Sequence, residues 1–183
     1  MVTSILIGII IVCLVIILDL GSKIFMVWLL GEKAGFELTL IPKVLDLRLQ
    51  FNNGAAWSSF SGKLWFLMAV TGVATIIFIY LARYANFKKA KLYSMGIYMM
   101  IGGMLGNFFE RAFAVDRSYL FGGVLYAPAH AVTDFIAFSF FPAVFNIADS
   151  FLTVGVILVI IDFLFLEPKR RKKQDGIFKS EGE

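Results

Sequence analysis

The sequence holds one histidine, His130, and one cysteine, Cys13. One of each cannot build a zinc site unaided, and the same scarcity argues against a Ser-His-Asp or Cys-His mechanism. No metal site and no cofactor is expected. A single cysteine also excludes a disulfide framework. Cys13 lies in an apolar run and reads as a small lipid-facing or packed residue. Charge is scarce too: Asp, Glu, Lys and Arg make up 16% of 183 residues, against 60% hydrophobic residues and 20 phenylalanines. That balance is too apolar for a soluble domain and implies an integral membrane protein. The formal charge of +4 says little about partners, because the placement of Lys and Arg matters more than their sum.

What is present is four long apolar stretches. Residues 4–30, 64–82, 92–111 and 144–166 predict four transmembrane helices, hence an all-α membrane protein. The first stretch has no basic start and resumes its apolar character after Lys23, so it does not read as a cleavable signal peptide. Between the helices lie two longer loops, 31–63 and 112–143, and a short basic one with Arg83, Lys88, Lys89 and Lys91. Residues 169–183 form a basic tail, read as a solvated topology anchor and not as a nucleic-acid patch. The unopposed cations of the short loop and the tail place both on the cytoplasmic side. Both termini are then cytoplasmic, and the two longer loops lie outside. Within the first, Val44–Phe51 alternates apolar and polar residues and predicts a strand with one apolar face.

The chemistry gathers at that outer face. Asp134 and Asp149 are separated by fourteen residues with no formal charge. A carboxylate near hydrocarbon is costly and rarely accidental. Asn146 stands three residues before Asp149, on the same face of a helix there. Asn52 and Gly54 lie in a turn signal, Asn-Asn-Gly, and Asn107, Glu110 and Arg111 crowd the end of the third span. Asp19 and Lys23, at i and i+4, share one face of the first helix. They read as an intramembrane ion pair, as the border of a polar cavity, or as both. Gly102, Gly103 and Gly106 read as helix-packing positions. Asp162 falls near the cytoplasmic end of the last helix and reads as interfacial. Two carboxylates without a metal or nucleophile suggest the aspartic-protease arrangement, in which one proton is shared. The same aspartates would serve equally in a proton or cation path, so a small ion- or proton-coupled transporter stands as the alternative.

The chain resembles the lipoprotein signal peptidases, the signal peptidase II family of intramembrane aspartic proteases. The resemblance rests on Asp19-x-x-x-Lys23, Asn52-x-Gly54-Ala55-Ala56, Gly102-Gly103-x-x-Gly106-Asn107 with Arg111, Asp134-Phe135-Ile136, and Phe145-Asn146-x-Ala148-Asp149. It implies a peptidase domain over residues 1–168, with a small extracytoplasmic β-cradle and an amphipathic outer segment. It implies that Asp134 and Asp149 are catalytic, that Asn52, Gly54, Asn107, Arg111 and Asn146 bind substrate, and that Asp19, Lys23 and Glu110 support them. The implied substrate is a prolipoprotein carrying diacylglycerol, cut before the lipidated cysteine in the bacterial inner membrane. Membrane lipid and globomycin-type cyclic peptide inhibitors are the further implied partners. Two features depart from the family pattern. Glu110 stands where the family usually has Asp, and the interval from Arg111 to Asp134 is long. The extra segment carries a rival acid, Asp116.

Overall fold

A computed structural model describes residues 2–54 and 64–171. The regular elements are α1 (Val2–Gly31), β1 (Glu37–Ile41), β2 (Leu45–Asn52), α2 (Leu64–Leu81), α3 (Lys91–Phe113), β3 (Val132–Phe138), β4 (Val144–Phe145) and α4 (Ile147–Ile161). Ala55 and Ala56 and the tail beyond Arg171 lie outside the described residues.

Among the described residues, three helical stretches are long and apolar enough to cross a membrane: Val2–Gly31, Leu64–Tyr84 and Ile147–Arg171. The third stretch expected to do so, α3, is not among them. It carries Lys91, Ser94, Asn107, Glu110 and Arg111, and it faces protein on most sides. α3 packs against α1, α2 and α4 and buries thirteen residues, whereas α2 buries only Thr75. A central helix can afford polar groups where a lipid-facing one cannot. Around Ile97, Met100, Ile101 and Met104 its apolar residues form the main core.

Small residues bring the helices close. A Cβ on Gly96 would lie 2.6 Å from the Gly155 carbonyl oxygen, so α3 and α4 touch backbone to backbone. On the α1 side, a Cβ on Gly106 would lie 2.6 Å from Asp19 Oδ2. That glycine makes room for a buried carboxylate as well as for a helix.

The helices carry an antiparallel sheet of order β1-β2-β3-β4. β2 matches the alternating stretch expected at 44–51, shifted by one residue. The resemblance implied a small β-cradle, but β1, β3 and β4 were not located in the sequence. β3 escaped because Val132, Thr133, Asp134, Phe135 and Ala137 are all buried, so both faces are covered and no alternation appears. Val144 and Phe145, expected to open the last helix, pair with Ala137 and Ile136 instead. α4 begins after Asn146, which is extended at φ −130° and caps the helix. Leu30 at the end of α1, Leu49 of β2, and Phe121 and Ala127 of the 114–131 segment form a second apolar cluster that seats the sheet on the helices. Asp162, read as interfacial, is enclosed by protein. It is buried where α4 continues as a π-helical turn (Asp162–Leu166), and Arg170 pairs with it at 2.6 Å.

Candidate active site

The site begins with a helix cap. Asn146 Oδ1 accepts from the Asp149 backbone N–H at 2.9 Å, and the Asn146 N–H donates back to Asp149 Oδ2 at 3.3 Å. This reciprocal capping box fixes the start of α4 and the Asp149 carboxylate together. With its oxygen committed, Asn146 must turn its Nδ2 the other way. That nitrogen donates to Asp134 Oδ1 at 2.7 Å and to Asn107 Oδ1 at 3.1 Å.

The orientation of Asn107 follows from α1. Lys23 Nζ donates to Asn107 Oδ1 at 2.8 Å, which marks that atom as the oxygen. Asn107 Nδ2 therefore faces Asp149 and donates to its Oδ1 at 2.9 Å. Asn52, at the end of β2, donates to Asp134 Oδ2 at 3.2 Å, and its own Oδ1 accepts from the Gly54 N–H at 2.9 Å. Every oxygen of the two carboxylates thus holds one donor, and the remaining lone pairs are available to the cavity.

Behind this shell lies a buried ion cluster. Lys23 pairs with Asp19 at 2.7 Å and with Glu110 at 3.1 Å. Asp19 Oδ1 accepts from the Ala148 N–H at 2.9 Å, tying α1 to the first turn of α4. Glu110 accepts from the Thr133 N–H at 3.0 Å and from Thr133 Oγ1 at 2.6 Å. The glutamate thereby reaches the residue just before Asp134, and Arg117 also pairs with it at 3.4 Å.

A cavity of about 360 Å³ is lined by Asn52, Asn107, Arg111, Asp134, Asn146 and Asp149, with Val132, Ala143, Val144, Phe145, Leu152 and Thr153 as its less polar wall. The structure thus brings five expected polar residues and Arg111 to one cavity, and places Asp19, Lys23 and Glu110 directly behind it. Gly54 reaches the group through its N–H, which donates to Asn52 Oδ1. Asp116 is elsewhere: its Oδ1 accepts from the Ser118 N–H. Asp134, on the sheet outside the helices, is pushed up to about 7, first by burial and then by the negative charge of Asp149. Donation from Asn52 and Asn146 opposes the shift.

The geometry has relatives. The profile of the family described as signal peptidase (SPase) II matches residues 11–165. The chain belongs to the signal peptidase II family. A lipoprotein signal peptidase of Lactobacillus gasseri is 33% identical over 162 residues, 85% of this chain and 90% of that one. One of Lactobacillus johnsonii is 36% identical over the same shares. Among solved structures, one titled as a bacterial membrane enzyme at 1.9 Å shares 31% identity and a TM-score of 0.64, covering 87% of this chain and 93% of that chain. A second, at 2.3 Å, shares 33% identity and a TM-score of 0.64, covering 86% and 87%. This family member is accordingly a bacterial membrane protease.

Two residues of the network were missed in the sequence. Thr133 was hidden by its neighbour Asp134. Arg117 sits in the extra segment, where no spacing relates it to α3.

Proposed function

We propose that the protein is an intramembrane aspartic endopeptidase that removes the signal peptide from diacylglyceryl-modified prolipoproteins, cutting before the lipidated cysteine. The observation that carries this is the pair Asp134 and Asp149, held by separate amide donors on one cavity wall. The pair shares one proton, and Asp134, raised to about 7, is suited to carry it at neutral pH. The carboxylate of Asp149 takes a proton from water as the water oxygen bonds to the scissile carbonyl carbon. Asp134 gives its proton to the carbonyl oxygen, forming a tetrahedral diol. Collapse breaks the C–N bond, and the proton gained by Asp149 goes to the leaving amine. The diol returns a proton to Asp134, which restores the pair.

Asn146 is fully buried and both ends of its amide are in use. Its role here is therefore to orient both aspartates and not to hold the peptide. Arg111 lines the cavity with no carboxylate at ion-pair distance among the described residues, and it contacts the substrate beside Asn52. A globomycin-type cyclic peptide would occupy the same cavity. α3 crosses the membrane as a fourth span enclosed by the other helices. The termini are cytoplasmic and the site lies near the outer face. Purified protein in lipid should cleave a diacylated prolipoprotein, and Asp134→Asn or Asp149→Asn should not. Turnover near the wild-type level in either variant would refute the assignment.

A further inference from the structure

We infer that Arg117, in the extra segment between α3 and β3, is a positioning residue for Asp134. This rests on the catalytic pair proposed above. Arg117 brackets the residue that precedes Asp134 from three sides. Its Nη1 and Nη2 each donate to Glu110 Oε1 at 3.4 Å, and that same oxygen accepts from Thr133 Oγ1 at 2.6 Å. Its Nη2 donates to the Ala131 carbonyl at 3.3 Å, two residues before Thr133. Its guanidinium lies 4.9 Å from the centre of the Phe51 ring, and Phe51 is the β2 residue paired with Thr133. Among the described residues, no hydrogen bond, ion pair or ring contact of Arg117 goes to a side chain that lines the cavity, so its effect on chemistry passes through Glu110 and β3.

Charge gives a second reason. Asp19, Lys23 and Glu110 are two acids and one base, all buried. A buried carboxylate with half a partner is costly. Arg117 brings the cluster to neutrality beside a pair that must itself carry one negative charge. The segment is built to hold this arginine still. The His130 N–H donates to the Ala114 carbonyl at 2.8 Å and closes the loop. Within it, the Arg117 N–H donates to the Ala127 carbonyl at 2.8 Å. Phe121 plugs the apolar cluster, with its ring 5.6 Å from those of Phe36 and Phe51. The segment is a brace on β3, and Glu110 and Arg117 act as a matched pair.

The test compares wild type, Asp134→Asn, Asp149→Asn, Arg117→Ala, Arg117→Lys, Glu110→Gln and the Arg117→Ala/Glu110→Gln double variant. Each is assayed in lipid on a diacylated prolipoprotein, with kcat expressed per folded molecule. Arg117→Ala should lower kcat about tenfold or more and leave KM within about threefold, since the side chain meets no substrate. Arg117→Lys should recover part of the loss, because it restores charge without the planar fork. The double variant should lose no more than about twofold beyond Arg117→Ala, as members of one unit do. Should Arg117→Ala fail to accumulate, Arg117→Lys carries the comparison, with an expected kcat loss of about threefold. Aspartate-dependent cleavage with wild-type kcat in the arginine variants overturns the role of Arg117 alone. So do strictly additive losses in the double variant. Cleavage that survives Asp134→Asn and Asp149→Asn overturns the proposed function and this inference with it.

Discussion

At the scale of single residues, the site depends on which end of each amide points where. Lys23 makes Asn107 present its nitrogen to Asp149, and the α4 cap makes Asn146 present its nitrogen to Asp134. Lys23 is therefore both a counter-ion and a director. Replacing it with Met should cost roughly 3–5 kcal/mol, since Asp19 and Glu110 would stay buried without their shared cation. Chemical unfolding of Lys23→Met against wild type checks this. Asp134 adds a pH dependence. Its carboxyl is raised from 3.8 to about 7, so between those values the folded protein binds the proton that the unfolded chain releases. Stability should fall as pH rises through that window and level off above it. Asp134→Asn should remove Asp134's share and make the slope shallower, which unfolding at pH values on either side of the window would reveal. The rate should decline on the alkaline side near the same value, an apparent constant that belongs to the pair. The sequence exposed the acids and amides because charge inside apolar runs is conspicuous. It hid Arg117, whose role depends on a loop closing back onto Glu110.

Among elements, the cap of α4 serves two purposes in one residue. Asn146 ends a strand, starts a helix and joins both aspartates. The two purposes can be separated. Ser is about as good a cap as Asn, so Asn146→Ser should keep the start of α4, while Asn146→Ala should lose about 1 kcal/mol more. Neither retains the amide Nδ2 that donates to Asp134, and the shorter serine hydroxyl is taken up by the cap, so both should lose most activity. A serine variant with full activity would show that the amide does not orient the acid. α1, α2 and α4 were legible because each is a long apolar run, and β2 because its two faces differ. β3 was not, because a strand covered on both faces has no period to read. β4 was absorbed into the helix expected after it, since two apolar residues before a cap look like a first turn. The role of Gly106 became visible only once Asp19 was seen against it.

On the scale of the whole molecule, the site sits where the sheet meets the ends of α1, α3 and α4, and the lipid-bearing substrate proposed for it would arrive from the membrane. A reporter at residue 86 should read cytoplasmic, and reporters at 40 and 122 should read outside. Turnover should survive a chelator, because one His and one Cys give no soft-ligand set for zinc; loss restored by added zinc would sink the two-carboxylate mechanism. The strongest expectation concerns lipid. α1, α2 and α4 expose Ile, Leu, Val and Phe over their outer surfaces, so hydrocarbon is their solvent. The cavity lies where α4 starts, which the proposed topology puts near the outer interface. A diacyl group would hold its cysteine at that depth, each buried methylene contributing about 0.8 kcal/mol to partitioning. The peptide before the cysteine can then lie across the cavity past Asn52, with its carbonyl between Asp134 and Asp149. A precursor without the lipid loses both the anchoring and the depth. Under conditions that process the diacylated precursor, the unmodified one should be cleaved at least about a hundredfold more slowly, because kcat/KM includes the partitioning it lacks. Equal rates for the two precursors would mean that the site takes peptides from water, and the lipid would have no part in recognition.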